Sequence, residues 1–333
     1  MRRPIPWRQI VLSVGAIVVI VWRVPFPNLR AAFRTLDWHS LLLAGCCFQV
    51  LLATRAYKWH CLMAAVGKVR PRQSLRTLLG GFALGLITPG RLGELGRCMF
   101  VRKHERIHVA VLTLLDRLLD LWALLTLIGA SLFLLVPPPA AVFGVAIWLV
   151  LLPVMLGSPN LLAHLARRIE RVREFQTHAS EVASGLPPSE MVRYSLLALA
   201  ALTAELASFF FLLRAFYPAG FGTAVATYPY IVLAGDLPIS FGGVGLREGA
   251  AALLLTPYAV PSGAAIDAAL LWFVFAILLP ALLGIAWLIT ERVRSQFRFT
   301  QSQAHRPEWL PSQAAQVQAP LPADSAGTHL SAP

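Results

Sequence analysis

The sequence predicts an all-α integral membrane protein: about six spanning helices plus two oppositely oriented re-entrant hairpins, arranged as an inverted repeat. Three observations predict it. Of the 333 residues, 57% are hydrophobic and only 14% charged, where soluble domains carry roughly 25% charged residues, and mean hydropathy is +0.66. The apolar residues gather in runs close to the about 20 that a helix needs to cross the hydrocarbon core. Between those runs, Lys and Arg concentrate in alternate connections, the bias that marks a cytoplasmic face. The same composition excludes a disulfide scaffold, because Cys46, Cys47, Cys61 and Cys98 lie in or beside apolar segments without paired spacing. The net charge of +13 follows from topology, and no nucleic-acid partner is expected.

Taken in order, the first span is 9–24. Its start is basic (Arg2, Arg3, Arg8), but Trp22-Arg23-Val24-Pro25 offers no small-residue cleavage site, so it reads as an uncleaved helix rather than a signal peptide. Further spans are expected at 40–54, 109–136, 141–157, 194–213 and 265–290. Two apolar stretches are too broken to be ordinary spans. Segment 75–97 is interrupted by Gly80-Gly81, Gly85 and Thr88-Pro89-Gly90; segment 223–256 by Pro229, Pro238 and Gly242-Gly243-Val244-Gly245. Segment 158–190 has Leu161, Leu162, Leu165, Ile169 and Val172 at helical spacing beside Arg167, Arg168, Arg171 and Arg173. It suits either a helix lying on an anionic inner leaflet or one packed on the bundle. Residues 1–290 thus form the membrane domain. The tail 291–333, rich in Gln, Ala, Pro and Ser, is expected to be a disordered cytoplasmic segment.

Charge counting sets the topology. The N-terminus, 55–76, 97–108, 158–193 and the tail together hold 22 of the 29 Lys and Arg residues. Both flanks of 75–97 are therefore basic and on one face, which makes that stretch a hairpin entering and leaving on the same side. By the same count 223–256 enters from the other. Segments 9–136 and 141–290 then repeat one order of elements with every orientation reversed and with both termini cytoplasmic. Broken helices at corresponding positions point to the binding site of a transporter, and irregular backbone at membrane depth must be buried in protein or line a wet cavity.

Ionisable groups at that depth cost about 2.5–3.5 kcal/mol each. Arg91, Glu94, Asp116, Arg117, Asp120, Glu205, Asp236, Arg247 and Glu248 would together cost on the order of 25 kcal/mol if left alone, more than a domain's net stability. They are expected to face inward and meet partners, water or substrate. In the first hairpin, proline and glycines free backbone N–H groups around Gly90, while Arg91 presents a planar fork suited to phosphate or carboxylate that Glu94 can orient. The second hairpin repeats the parts: Gly243 and Gly245 expose backbone, Arg247 and Glu248 open a helix, and a helix N-terminus attracts anions. Asp116, Arg117 and Asp120 share a helix face and, with Glu205 and Asp236, are expected to line the path. Three arginines against six carboxylates suggest that some carboxylates are protonated or bind a cation.

These blocks, Pro-Gly-Arg-x-Gly-Glu at 89–94, Asp-Arg-x-x-Asp at 116–120 and Pro-x-Ser-x-Gly-Gly-x-Gly-x-Arg-Glu at 238–248, resemble the lysylphosphatidylglycerol synthase transmembrane-domain family of flippase-like proteins, over roughly 10–290. The resemblance implies a membrane part that moves a lipid between leaflets. The separate soluble domain that makes the aminoacylated lipid in the namesakes has no counterpart here, so no enzyme activity and no cofactor are expected. Membrane lipids are the expected partners, with a lipid-synthesis enzyme as an alternative.

A different class is raised by His104-Glu105-Arg106-Ile107-His108, which fits His-Glu-x-x-His, two histidines binding zinc beside a glutamate base. Arg102, Lys103 and Arg106 disfavour a dication there and no third ligand is evident, so no metal is expected. The reading is a transporter of a lipid with an anionic or phosphate-bearing headgroup. The alternatives are a membrane-embedded transferase or metalloprotease, and a non-transporting scaffold for a lipid-synthesis enzyme.

Overall fold

A computed structural model describes residues 36–86, 88, 92–102, 105–135, 157, 160, 164, 173–237 and 243–304. The expected span 9–24, nearly all of 141–157, most of 158–172, and Gly90, Arg91 and His104 lie outside these residues. Among the described residues every regular element is helical. The chain divides into two units, Met1–Leu288 and Ile289–Pro333.

Helix α1 (Trp38–Val66) starts where Asp37 caps it, its carboxylate accepting from the His39 N–H at 3.1 Å and the Ser40 hydroxyl at 2.6 Å. It runs well beyond the expected end at residue 54. Arg55 and Lys58, which close the hydropathy run, are packed against protein carboxylates and do not end the helix; Gly67 follows its last residue. Pro71 opens α2 (Pro71–Leu86), whose regularity stops ahead of Pro89, and a 3-10 helix follows (Leu92–Phe100). Helix α3 (Arg106–Leu135) is 30 residues long.

After α4 (Arg173–Gly185), the second half of the chain echoes the first. Helix α5 (Pro188–Phe216) has the 29-residue length of α1, and α6 (Phe221–Asp236) the 16-residue length of α2; each member of a pair starts 150 residues after the other. Regularity again stops ahead of a proline, Pro238, and resumes in the short α7 (Leu246–Leu255). A 3-10 turn at Thr256–Tyr258 and a left-handed Ala259 (φ 56°) lead to α8 (Ser262–Phe273), a π turn (Val274–Leu278) and α9 (Leu279–Ala304). In the second unit, 291–304 are helical where a disordered tail was expected. From Glu291 to Ala304 no glycine or proline interrupts the chain, and the next proline is Pro307.

Among the described residues, three helices are long and apolar enough to cross a bilayer: Trp38–Ala65, Pro188–Phe216 and Ser262–Glu291. Helix α3 is as long but carries Asp116, Arg117 and Asp120 near its middle. Helices α1 and α5 make the most extensive pairing and run antiparallel. At one end the Asp37 N–H bonds the Ala215 carbonyl (3.1 Å) and the Ser208 hydroxyl the Ala44 carbonyl (3.0 Å); at the other, Arg193 donates to the Tyr57 hydroxyl (2.6 Å). The core beside this pair includes Phe209, Tyr228 and Trp272, three almost fully buried rings with centroids 5.3–6.4 Å apart.

Candidate functional site

Buried ions gather where α1, α3 and the 3-10 helix meet. Lys58, on the inward face of α1 and 1% exposed, lies 2.8 Å from Asp116 and donates to Asp120. Arg97, also 1% exposed, donates to Asp116 at 2.7 Å and to Glu94 at 3.2 Å. Glu94 accepts in turn from Arg117, whose other amine is 3.9 Å from Asp120. Three cations and three carboxylates therefore neutralise one another. Beside them Arg55 donates to the buried Glu205 at 2.7 Å, tying α1 to α5. The interior of the cluster is closed, and its accessible edge is Arg117 and Asp120, whose side chains are 33% and 26% exposed. The open depression near residues 64–70 lies at the α1–α2 turn instead.

Neutralising the sum of charges explains how these groups tolerate burial, but not why they are there. Desolvating each ion costs several kcal/mol, and a buried pair seldom exceeds a well-packed apolar substitute in stability.

Arg97 and Arg247 sit in matching surroundings. The Arg97 guanidinium lies 4.5 Å over the Trp59 ring, and a Cβ added at Gly81 would fall 2.6 Å from its side chain. The Arg247 guanidinium lies 4.2 Å over Trp272, and Cβ atoms at Gly235 and Gly243 would fall 2.7 and 2.8 Å from its Nη2. Gly93 and Gly243 each abut a carbonyl at the end of the preceding helix, that of Leu84 and that of Gly235. Both pairs, Gly93 with Gly243 and Arg97 with Arg247, keep the 150-residue separation of the helix starts.

Packed rings lead from one arginine surrounding toward the other. Trp272, beneath Arg247, packs edge-on against Phe209 at 6.4 Å, and Phe209 lies one turn after Glu205, the partner of Arg55, on α5. Of the residues predicted from sequence, Glu94, Asp116, Arg117 and Asp120 come together, Glu205 pairs with Arg55 one turn from Lys58 on α1, and Arg247 lies apart over Trp272. Asp236 is exposed at the end of α6. Gly243 and Gly245 do take positive φ (80° and 90°), but the Gly245 N–H donates at 2.6 Å to the Glu248 carboxylate, so α7 caps its own N-terminus. That N–H meets an external anion only if Glu248 turns away.

Sequence reasoning missed Arg55, Lys58 and Arg97, which read as loop cations in the charge count. The imbalance of three arginines against six carboxylates arises from leaving them out. The signal that finds Arg97 is the 150-residue offset, which superposes it on Arg247; the 149-residue spacing of Pro89 and Pro238 places the counterpart of Arg247 one residue further on, at Cys98, while the shared residue types of the two blocks point to Arg91.

His104 of the His-Glu-x-x-His match lies outside the described residues, and of its three defining side chains the structure places Glu105 and His108. Glu105 accepts from Gln73 at 3.2 Å, while His108 faces another helix, with Nε2 3.0 Å from Glu181 Oε2. His178, one turn before Glu181 on α4, brings its Nδ1 to 2.9 Å from the same oxygen. These hydrogen bonds, that of His178 foremost, hold the Glu181 carboxyl below the usual range, against the partial desolvation that opposes them.

No curated protein matches the sequence. The family model described as the lysylphosphatidylglycerol synthase TM region matches residues 7–284, most of the chain and both arginine surroundings, so the protein is an integral membrane protein that belongs to that family.

Proposed function

We propose that the protein moves a lipid with an anionic or phosphate-bearing headgroup between leaflets, without a chemical step of its own. The observation that carries this reading is the duplicated arginine over tryptophan, Arg97 on Trp59 and Arg247 on Trp272, each walled by glycine, Gly81 at the first and Gly235 and Gly243 at the second. Charges inside a membrane protein face partners or a substrate path, and an arginine fork suits phosphate and carboxylate. Two such surroundings in halves of matching helix lengths, with α1 and α5 antiparallel, support an inverted repeat of six spans and two opposed hairpins. The partly exposed Arg117–Asp120 edge is the entry to the polar interior. Arg97 and Arg247 hold the headgroup, Arg91 joins them on the sequence pattern, and Glu94, Asp116 and Glu205 keep the arginines oriented when no lipid is bound. The acyl chains stay in the bilayer, a bacterial inner membrane in this reading, and the Lys and Arg distribution puts both termini on its cytoplasmic side.

The test is leaflet accessibility of labelled lipids in liposomes holding the purified protein. Lysyl-phosphatidylglycerol, phosphatidylglycerol and an isoprenoid phosphate form the panel. Headgroup-selective movement is expected in the wild type and absent in Arg247→Ala and Arg97→Ala that remain inserted and folded. Wild-type movement in both variants discards the site; no movement of any lipid by folded protein with gradients supplied discards transport in favour of a scaffold or an enzyme.

A further inference from the structure

We propose that His108, His178 and Glu181 form a binding site for a divalent transition-metal ion of the zinc class, joining α4 to the start of α3. Among the described residues, these are the group whose side chains offer three converging ligand atoms, all within 4.8 Å of one another. Two ligands sit three residues apart on one helix, so they project from the same face; the third comes from the neighbouring helix.

The geometry is near what such an ion requires. Bonds of about 2.0–2.1 Å in a tetrahedral site leave adjacent ligand atoms about 3.3 Å apart. Glu181 Oε2 is 3.0 Å from His108 Nε2 and 2.9 Å from His178 Nδ1, each within a few tenths of an ångström of that separation, and the two nitrogens lie within 4.8 Å of each other. The imidazole centroids are 3.9 Å apart, while two rings held by bonds of about 2.0–2.1 Å to one tetrahedral ion keep their centres about 5 Å apart, so the rings spread as the ion enters. Neutral imidazole carries a single N–H. On binding, each ring moves that hydrogen to the nitrogen facing away and gives the ion its lone pair, so neither ring changes charge. Two imidazoles and one carboxylate suit zinc, cobalt or nickel better than calcium or magnesium, which take oxygen ligands. Side chains 26–52% exposed leave water to complete the coordination, as in open three-ligand sites.

The site is separate from the arginine cluster and from the His-Glu-x-x-His reading, with which it shares only His108. Its consequence is mechanical: α4 lies between the two halves of the chain in sequence, and a bound ion would fix it to the helix that carries Asp116, Arg117 and Asp120.

The test uses the full chain in nanodiscs, purified without a polyhistidine tag and stripped with chelator. Titration with Co2+ is expected to give a visible ligand-field band saturating at one equivalent and displaced by Zn2+. Zn2+ is also expected to raise the thermal transition. His178→Ala and Glu181→Gln should each weaken Co2+ by more than about tenfold, the least that losing even an outer partner of a metal ligand costs. Both variants should keep the wild-type thermal transition in chelator, since neither side chain is in the core. A wild type with no band at saturating Co2+, or the same titration curve in the wild type and His178→Ala, overturns the site.

Discussion

Removing the charge of Lys58 while keeping its volume, as in Lys58→Met, isolates what the buried cluster contributes to stability. In the wild type, three cations (Lys58, Arg97, Arg117) balance three carboxylates (Glu94, Asp116, Asp120). Without Lys58 the cluster carries one uncompensated negative charge. Asp116 then keeps Arg97 at 2.7 Å, but Asp120 keeps only Arg117 at 3.9 Å. Breaking a buried pair from one side costs about 3–5 kcal/mol, and the surviving Arg97 contact puts this case near about 3 kcal/mol. With an unfolding entropy of about 2.1 cal/mol/K per residue, that is a fall in Tm of roughly 5 °C. Asp116→Asn removes the opposite charge and should cost a similar amount. The double variant Lys58→Met/Asp116→Asn leaves two cations facing two carboxylates, so it should be more stable than either single variant. Thermal unfolding of the four proteins in the same detergent measures the coupling. Single variants within about 1 °C of wild type, or a double variant as damaged as the sum of the singles, would refute the argument from charge balance.

Three further outcomes follow from named contacts. Gly243→Ala should destabilise by about 1–3 kcal/mol, because φ is 80° and its Cβ would fall 2.7 Å from the Gly235 carbonyl oxygen; Gly245→Ala, with φ 90° but open space around its Cβ, should cost less. Comparative Tm values check the order. Trp272→Leu should keep most of the apolar packing but remove the ring beneath Arg247, a contact worth up to about 2 kcal/mol when desolvated; the liposome assay should then show slower lipid movement at a fixed protein density. Glu205→Gln should loosen the α1–α5 pairing at Arg55, read as faster amide exchange around residues 205–212 with the remainder of α5 protected.

Some of this molecule is legible in the sequence because the responsible physics is local. Regularity does stop at Leu86 and Asp236, ahead of Pro89 and Pro238, but Gly80, Gly81, Gly85 and Pro229, read from sequence as interruptions, lie inside the continuous helices α2 and α6, where packing against neighbours outweighs the local penalty of each residue. The charge-rich face of α3 follows from spacings of three and four, and it does bring Asp116 and Asp120 onto common partners. What sequence missed is set by tertiary packing. Nothing within a few residues of Lys58 distinguishes a lysine in a loop from one buried against Asp116, because its carboxylates come from a helix about sixty residues away. The same holds for Glu181, whose two histidine partners come from two helices. Helix extents failed for the converse reason: Arg55 and Lys58 truncate a hydropathy window, whereas the backbone continues wherever polar side chains find partners.

The π turn at Val274–Leu278 directly follows Trp272 and Phe273. A π turn holds one residue more than the α-helical ladder on either side can place. If that extra residue were passed toward α8, the part of the helix it crossed would rotate by about 100° relative to the rest, the angle of one residue in an α-helix. Trp272 would swing away from Arg247 while the hydrogen-bonded ladder stayed complete. Such a step would make the helix a click-stop whose two settings cover and uncover the arginine. A fluorescence change of Trp272 on adding lipid, absent after deletion of one residue within 274–278, would be its signature.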